Sequence, residues 1–309
     1  MEIKLLFKNP RLFMFKVFNR TIYKRLPDEK YLKKAFKAKM GKELDLENPK
    51  TYNEKLQWLK LYDRKPIYTD MVDKAKAKEV AASIIGEEHI IPTLGIYEKF
   101  EDIDFDALPD SFVIKCTHDS GGLVIVKDKS KLNKAAARKK INRSLKQNFY
   151  LNGREWPYKN VKPRILIEKY IDLGETDNHY DYKFMCFGGQ VKFLFLDVGV
   201  ISNGGHAGEY RRNIYDREYN LQNFLETREN TAYEIPKPKN YDEMIMLAEK
   251  LSKGIPHIRI DLYNVKGKIY FGEFTFFHGS GINYFKPEEW DYKIGEYIHL
   301  PKKKTGTVK

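Results

Sequence analysis

The chain has 309 residues, 42% of them hydrophobic and 14% aromatic, enough to bury a sizeable core in one large or two smaller domains. Lys and Arg number 56 against 43 Asp and Glu, and the formal charge of +13 favours anionic partners: nucleotides, phospholipid surfaces, nucleic acids or acidic sugars. Cys116 and Cys186 lie far apart in apolar runs, which gives neither a disulfide framework nor a CxxC metal site and fits reduced cytosolic thiols.

No apolar run reaches the roughly 20 residues of a membrane span. Met1 to Phe18 is broken by Lys4, Lys8, Arg11 and Lys16, so it reads as neither signal peptide nor anchor. Leu5, Phe7, Leu12, Phe13, Phe15 and Phe18 among those bases suit either a helix resting on the anionic inner face of a cell membrane or a docking helix with a solvated basic face. A basic helix follows from Asp28 to Lys42 and is broken near Pro49. Thr51-Tyr-Asn-Glu54 fits a capping box, with Leu56, Trp58, Leu59 and Leu61 as the apolar face of the helix it opens. The next helix is expected from about Asp70 to Ile85, and a short strand with a turn over Ile90 to Tyr97. Phe112 to Cys116 and Leu123 to Val126 form a hairpin around His118-Asp-Ser-Gly-Gly122, followed by a helix from Asn133 to Asn148. Strands are expected over Arg164 to Ile171, Tyr182 to Phe187 and Val191 to Leu196, the last two turning at Gly188-Gly189. A polar stretch from Ser202 to Gly208 precedes a helix from Tyr241 to Lys253. A last hairpin, His257 to Tyr263 with Lys268 to Phe274, turns at Lys266-Gly267, and a frayed basic tail ends the chain.

Asp261 and Glu273 emerge from the two strands of that last hairpin among apolar residues. Facing carboxylates repel unless a cation neutralises them. Mg²⁺ would serve, since it takes one or two carboxylates plus phosphate oxygens at about 2.0–2.1 Å; a pairing with Arg259 or a lysine would serve as well. Lys115 stands in an apolar strand, where an ammonium is costly without an anion, and a phosphate would supply one. The adjoining loop either brings backbone N–H groups and the Ser120 hydroxyl, at Gly121 and Gly122, onto phosphate oxygens, or is only a hairpin turn in which His118 is a satisfied hydrogen-bonding residue.

Taken in order, the lysine strand with its glycine loop, the acidic strand end Glu168-Lys-Tyr-Ile171, Arg259-x-Asp261 and Glu273-x-Thr275 follow the layout of ATP-grasp enzymes. The stretches Thr51 to Leu61, Leu108 to Lys115, Asp181 to Phe187 and Tyr270 to Thr275 resemble the TupA-like ATP-grasp family of polysaccharide and teichuronopeptide gene clusters, over about Leu44 to Pro301. The resemblance implies an α+β ATP-grasp fold in which two lobes enclose a nucleotide cleft. It divides the chain into a basic helical extension (1–45), a helix-and-strand subdomain (46–110), a lysine and glycine-loop lobe (111–171), a lobe with the metal-binding hairpin (172–300) and a basic tail (301–309). It further implies that Lys115 touches the α- and β-phosphates, and that Glu168, Lys169, Tyr170 and Ile171 form the hinge holding adenine. Asp181 would face the ribose, with Lys183 in the nucleotide-binding set, while Asp261, Glu273 and Thr275 would hold Mg²⁺. Thr275 stands where many ATP-grasp enzymes have asparagine. Asp73 and Lys74 are expected in structural or substrate-edge roles. Arg259 would steady the reacting group, Arg211 and Arg212 would grip the γ-phosphate or an acidic sugar, and His206, His278 and Ser280 would meet the acceptor.

The function so implied is a cytoplasmic, ATP- and Mg²⁺-dependent ligase of surface-polysaccharide biosynthesis. It would activate a carboxylate, from a uronic acid or an amino acid on an acidic glycan precursor, as an acyl phosphate for attack by an amine. The same site ending at phosphoryl transfer to a glycan hydroxyl would make a kinase. A basic module binding nucleic acid or membrane is the reading from another class, and it is disfavoured because the aromatics fall in strand and helix patterns and form no stacking platform.

Overall fold

The computed structural model describes residues 10–19, 21–172, 180–202, 205–206 and 210–303. Helix α1 (Pro10–Asn19) packs on α2 (Asp28–Met40), which buries Tyr31, Leu32 and Phe36 and ends on left-handed Gly41. This segment is not a separate extension: those side chains join the main core, and Arg154, itself 1% exposed, donates to the carbonyls of Lys24 (2.8 Å) and Leu26 (3.3 Å). The anticipated capping box opens α3 (Tyr52–Tyr62), with Thr51 Oγ1 accepting from Glu54 N and the Glu54 carboxylate accepting from Thr51 N. The single helix expected over Asp70 to Ile85 is two, α4 (Ile67–Val72) and α5 (Lys76–Ile85). They are parted at Asp73, whose backbone is extended and whose carboxylate accepts from Ala75 N.

Strands β1 (Thr93–Tyr97), β2 (Phe112–Cys116), β3 (Leu123–Val126) and β4 (Ile165–Lys169) form an antiparallel sheet in the order β1-β4-β2-β3, with α6 (Lys134–Leu145) packed beside β2 and β3. Because β1 pairs with β4, this lobe begins near Thr93, well before residue 111. Phe112, Ile114, Ile141, Ile165 and Ile167 make its core.

The larger sheet has the order β12-β11-β5-β6-β9 and is also antiparallel, from β5 (Tyr180–Phe187), β6 (Gln190–Val198), β9 (Arg211–Asp216), β11 (His257–Val265) and β12 (Lys268–Thr275). Short pairs β7 (Ile201–Ser202) with β8 (Gly205–His206) and β10 (Leu225–Glu226) with β13 (Phe285–Lys286) complete the strands. The apolar face of the sheet packs on α7 (Tyr241–Ser252), which buries Tyr241, Met244, Ala248 and Leu251, and α8 (Glu289–Glu296) packs against α3. Strand β9 and helix α8 were not anticipated: β9 is half polar, and α8 is short and opens on Glu288 with no side-chain cap. Among the described residues no helix is long and apolar enough to cross a membrane.

Candidate active site

A cavity of about 790 Å³ lies between the two sheets, within the range of nucleotide-sized sites. Its smaller-sheet side is a lysine wall. Lys115 alternates out of apolar β2 and ion-pairs with Glu168, which also takes Lys78 at 2.9 Å. Burial pushes the Glu168 carboxyl up, but the two ammoniums hold it below its ordinary value. A protein carboxylate therefore answers the buried ammonium of Lys115, where a phosphate was expected. Lys74 reaches into the same wall and donates to the Asp119 carbonyl; burial lowers its pKa. The Asp119 carboxylate is itself spent on the Ser144 hydroxyl and the Gly122 amide, which closes the glycine loop. Three ammoniums thus face one available acid, and the wall keeps a positive surplus.

Opposite lies the carboxylate hairpin. Asp261 and Glu273 are direct cross-strand partners, and Leu262 then pairs with Phe271, so Gly272 is an extra residue bulged out of β12. Regular alternation would place Phe271 and Glu273 on one face; the bulge sends Phe271 to the core and Glu273 to the cleft. Glycine suits the bulge, because a Cβ at Gly272 would lie 3.0 Å from the Asp261 carbonyl oxygen, a tight contact. Arg259 forks both oxygens of Asp261 at 2.6 and 2.7 Å and reaches Glu273 at 2.9 Å. Burial pushes the Asp261 carboxyl up to about 6 in spite of Arg259, whereas Arg259, Lys74 and the Thr275 hydroxyl overcome burial at Glu273 and hold it low.

Mg²⁺ fits this donor set. Among the described residues no cluster of three metal-ligating side chains occurs, so the protein offers two hard carboxylates, the share Mg²⁺ takes when phosphates supply further oxygens. Arg259 leaves lone pairs on both carboxylates, and Glu273 is 42% exposed to the cleft. Thr275 is not a further ligand here: its hydroxyl donates to Glu273 Oε1 at 3.0 Å and orients it.

From Arg259 a charged network runs along the floor. Arg259 Nη1 lies 2.7 Å from His278 Nδ1, and His278 Nε2 lies 3.3 Å from Arg212 Nη1 and 3.5 Å from Glu226 Oε1. Burial lowers His278 to about 4, so the ring is neutral near pH 7. Arg212 joins Glu226 to Asp197 (2.5 and 2.8 Å), and Lys183 joins Asp197 (3.2 Å) to Asp181 (3.0 Å). Against burial, Arg212 and Lys183 hold Asp197 at about 2, and His278 and Arg212 hold Glu226 at about 2.

The loop carrying His278 is held from behind by one stripe of α3. Asn53, Gln57 and Lys60, spaced i, i+4, i+7, bind the carbonyls of Asn283 (2.9 Å), Gly281 (2.6 Å) and Ser280 (2.9 Å). Their hydrogen bonds fix a turn in which Gly279, Ser280 and Gly281 are all left-handed, φ 55°, 56° and 60°.

The sequence-derived candidates divide accordingly. Ser120, Gly122, Lys169, Tyr170 and Ile171 line the cavity, as do Asp181 and Lys183. His118 does not: it is 3% exposed and its Nε2 is shared between the carbonyls of Ser144 and Gln147, pinning α6 to the loop. Gly121 is likewise outside the cavity lining. Alternation along β9 turns Arg211 out to the Asn230 carbonyl (2.9 Å) and Arg212 in, where both its acids occupy it, so neither is a free anion grip. Ser280 Oγ faces Lys60 at 3.0 Å and not the acceptor. The His206 side chain, Leu5, Leu6, Phe7 and residues 304–309 lie outside the described residues. Asp73 ion-pairs with Arg164 at 2.8 Å, a structural role. The sequence reading missed Lys78, Asp197, Glu226, Lys60 and Arg228. Asp197 carried a signal, being a carboxylate inside Phe193-Leu-Phe-Leu-Asp197-Val198, as costly there as the ammonium of Lys115.

Among solved structures the chain is similar to the L-amino acid ligase from Bacillus licheniformis, at 16% identity over 74% of this chain and 50% of that one, TM-score 0.45. It is similar to D-alanine–D-alanine ligase from Helicobacter pylori, at 15% identity over 81% and 69%, TM-score 0.44. It is also similar to the Bacillus anthracis enzyme complexed with ATP, at 16% over 66% and 53%, TM-score 0.35. The chain spans about half the length of the first of these. No curated protein matches it. The model of the TupA-like ATP-grasp family matches residues 54–299. With that match over the cleft and both sheets, the chain belongs to the TupA-like ATP-grasp family.

Proposed function

We propose that the protein is an ATP-dependent carboxylate–amine ligase acting on a surface-polysaccharide precursor. The observation that carries the reading is the cavity itself, which sets a lysine wall with surplus positive charge against a paired carboxylate hairpin. Lys74 and Lys115 would bind the phosphates of ATP, the segment from Lys169 to Ile171 the adenine, and Asp181 the ribose. Asp261 and Glu273 would hold Mg²⁺, which would supply positive charge to offset that on the phosphates. A carboxylate is a poor electrophile, so its oxygen takes the γ-phosphoryl in line to give an acyl phosphate as the bond to the β–γ bridging oxygen breaks and ADP is the leaving group, with Lys115 absorbing charge on the phosphates. An amine then attacks the acyl carbon, the guanidinium charge of Arg259 stabilises the oxyanion, and phosphate leaves as the amine gives up a proton to form the amide. His278, neutral and accepting from Arg259, fixes the direction of that guanidinium.

The basic surface supports an acidic glycan as one substrate. The outer side of α1 and the turn after it, with Met14, Val17 and Ile22 exposed beside Arg11, Lys16, Lys24 and Arg25, supports a peripheral place for the protein at an anionic membrane, on its cytoplasmic side. The test is nucleotide turnover against uronic acids and amines with product masses read out. Equimolar ADP and free phosphate, formed only when acid and amine are both present, is the expected result. Phosphate retained on a sugar hydroxyl would replace the ligase by a kinase, and no turnover of any pair with no Mg-ATP binding would remove both.

A further inference from the structure

The cations lining the cavity are paired unevenly. On the larger sheet, Lys183 is held by Asp181 and Asp197, Arg212 by Asp197 and Glu226, and Arg259 by Asp261 and Glu273. Arg228 also lines the cavity, two residues beyond Glu226, yet among the described residues no carboxylate or carbonyl accepts from its guanidinium. Its guanidinium carbon sits over the Tyr210 ring instead, 4.2 Å from the centroid. Stacking of this kind fixes the plane of the guanidinium and leaves its N–H edge free for a two-pronged contact with an oxyanion.

The surroundings are built. Thr227 adopts a left-handed conformation, φ 59°, and its amide donates to the Tyr284 carbonyl at 2.9 Å, so the turn bearing Arg228 is tied to the wall beside it. The Tyr284 side chain is 52% exposed, lines the cavity and is anchored by its hydroxyl to the Lys39 carbonyl. Ile282 lines the same end. An open tyrosine face next to a stacked arginine suits a sugar ring bearing a negative group. From Glu226, adjoining this turn, His278 leads to Arg259, so the place is two side chains from the reacting centre.

We propose that Arg228, held over Tyr210 on the turn tied to Tyr284, forms the subsite that receives an oxyanion on the sugar acceptor, a carboxylate or a phosphate. The assignment rests on the acceptor entering at this end of the cleft, and it supplies the anion grip that Arg211 and Arg212 do not.

Calorimetry or ligand-observed NMR on the full chain, saturated with Mg²⁺ and the non-hydrolysable analogue AMP-PNP, tests it with glucuronic acid, glucose 1-phosphate and glucose as probes. The wild type is expected to bind one or both anionic sugars more tightly than glucose. Arg228→Gln should weaken that binding at least about tenfold, and Arg228→Lys less, since a point charge keeps attraction but loses the fork. AMP-PNP binding should stay within about twofold of wild type in both variants. Binding of only glucuronic acid, or of only glucose 1-phosphate, identifies the oxyanion as carboxylate or phosphate. No preference of the wild type for either anionic sugar over glucose, equal binding by wild type and Arg228→Gln, or a parallel fall in AMP-PNP affinity would overturn the subsite. Failure of the wild type to bind AMP-PNP would instead strike the ATP reading.

Discussion

The two walls of the cleft handle charge differently. On the lysine wall Lys78 and Lys115 share Glu168 and Lys74 donates to the Asp119 carbonyl, while the Asp119 carboxylate serves the loop backbone and Ser144. On the opposite floor Arg259, Arg212 and Lys183 are each held by two carboxylates. A wall left short of anions is one a polyanion completes, because the Coulomb gain is realised only on binding. A floor whose cations are already paired is preorganised: its side chains are oriented before any ligand arrives, and little reorganisation accompanies the reaction. The difference also explains why arginines dominate one side and lysines the other. Planar forks hold fixed networks, and flexible ammoniums would follow a mobile phosphate chain.

The comparison can be broken at four points, in order of expected effect. Asp261→Asn and Glu273→Gln, each nearly isosteric, should lower ATP turnover by about 10³-fold or more with unchanged circular dichroism. Activity retained in both would take the hairpin out of the metal role. Arg212→Met should cost about 3–5 kcal/mol of stability in urea unfolding, since Asp197 and Glu226 would stay buried without their shared partner. A loss below about 1 kcal/mol would show that water replaces the guanidinium there. Lys115→Met should weaken AMP-PNP binding by about 10²-fold while changing stability little, because Lys78 still neutralises Glu168. The reverse pattern, stability lost and nucleotide binding kept, would make Lys115 a structural ion-pair partner.

The smallest effect is a slope. Burial lowers His257 to about 3 and His278 to about 4, so the unfolded chain binds protons that the folded chain refuses as pH falls from about 6.5. Asp197 and Glu226, held at about 2, act in the same direction below their ordinary values. Stability should therefore fall from about pH 6.5 towards pH 3, each of these groups contributing up to about 1.4 kcal/mol per pH unit, while Asp261, pushed up to about 6 in the fold, offsets part of the fall below that value. His257→Asn, remote from the nucleotide wall, should flatten the upper part of that fall; an unchanged slope from pH 6.5 to 4 in urea midpoints would remove His257 as a source.

Particular elements show where sequence reading succeeds. The Thr51 and Glu54 capping box, strand β2 and the hairpins turning at Gly188-Gly189 and Lys266-Gly267 stand where they were expected, since capping, alternation and turn chemistry act between near neighbours. The helix expected from Asp70 to Ile85 failed at Asp73, whose side chain offers the backbone a competing partner. Strand β9 hid because its buried positions include Arg212 and Asn213, residues that read as solvent-exposed until their partners are known.

For the site, the chain by itself determined the chemistry available: a lysine in an apolar strand, a glycine loop, and two carboxylates on one hairpin, each marked by the cost of burying charge. The tertiary structure decided which charge meets which. Glu168 reaches Lys115 only because β4 pairs with β2, Arg212 reaches Glu226 only because β9 and β10 converge on the cleft, and Glu273 faces Asp261 only through the bulge at Gly272. Ion pairing depends on distances of a few ångströms between segments far apart in sequence, and those distances are set by sheet order and register, which local pattern does not encode.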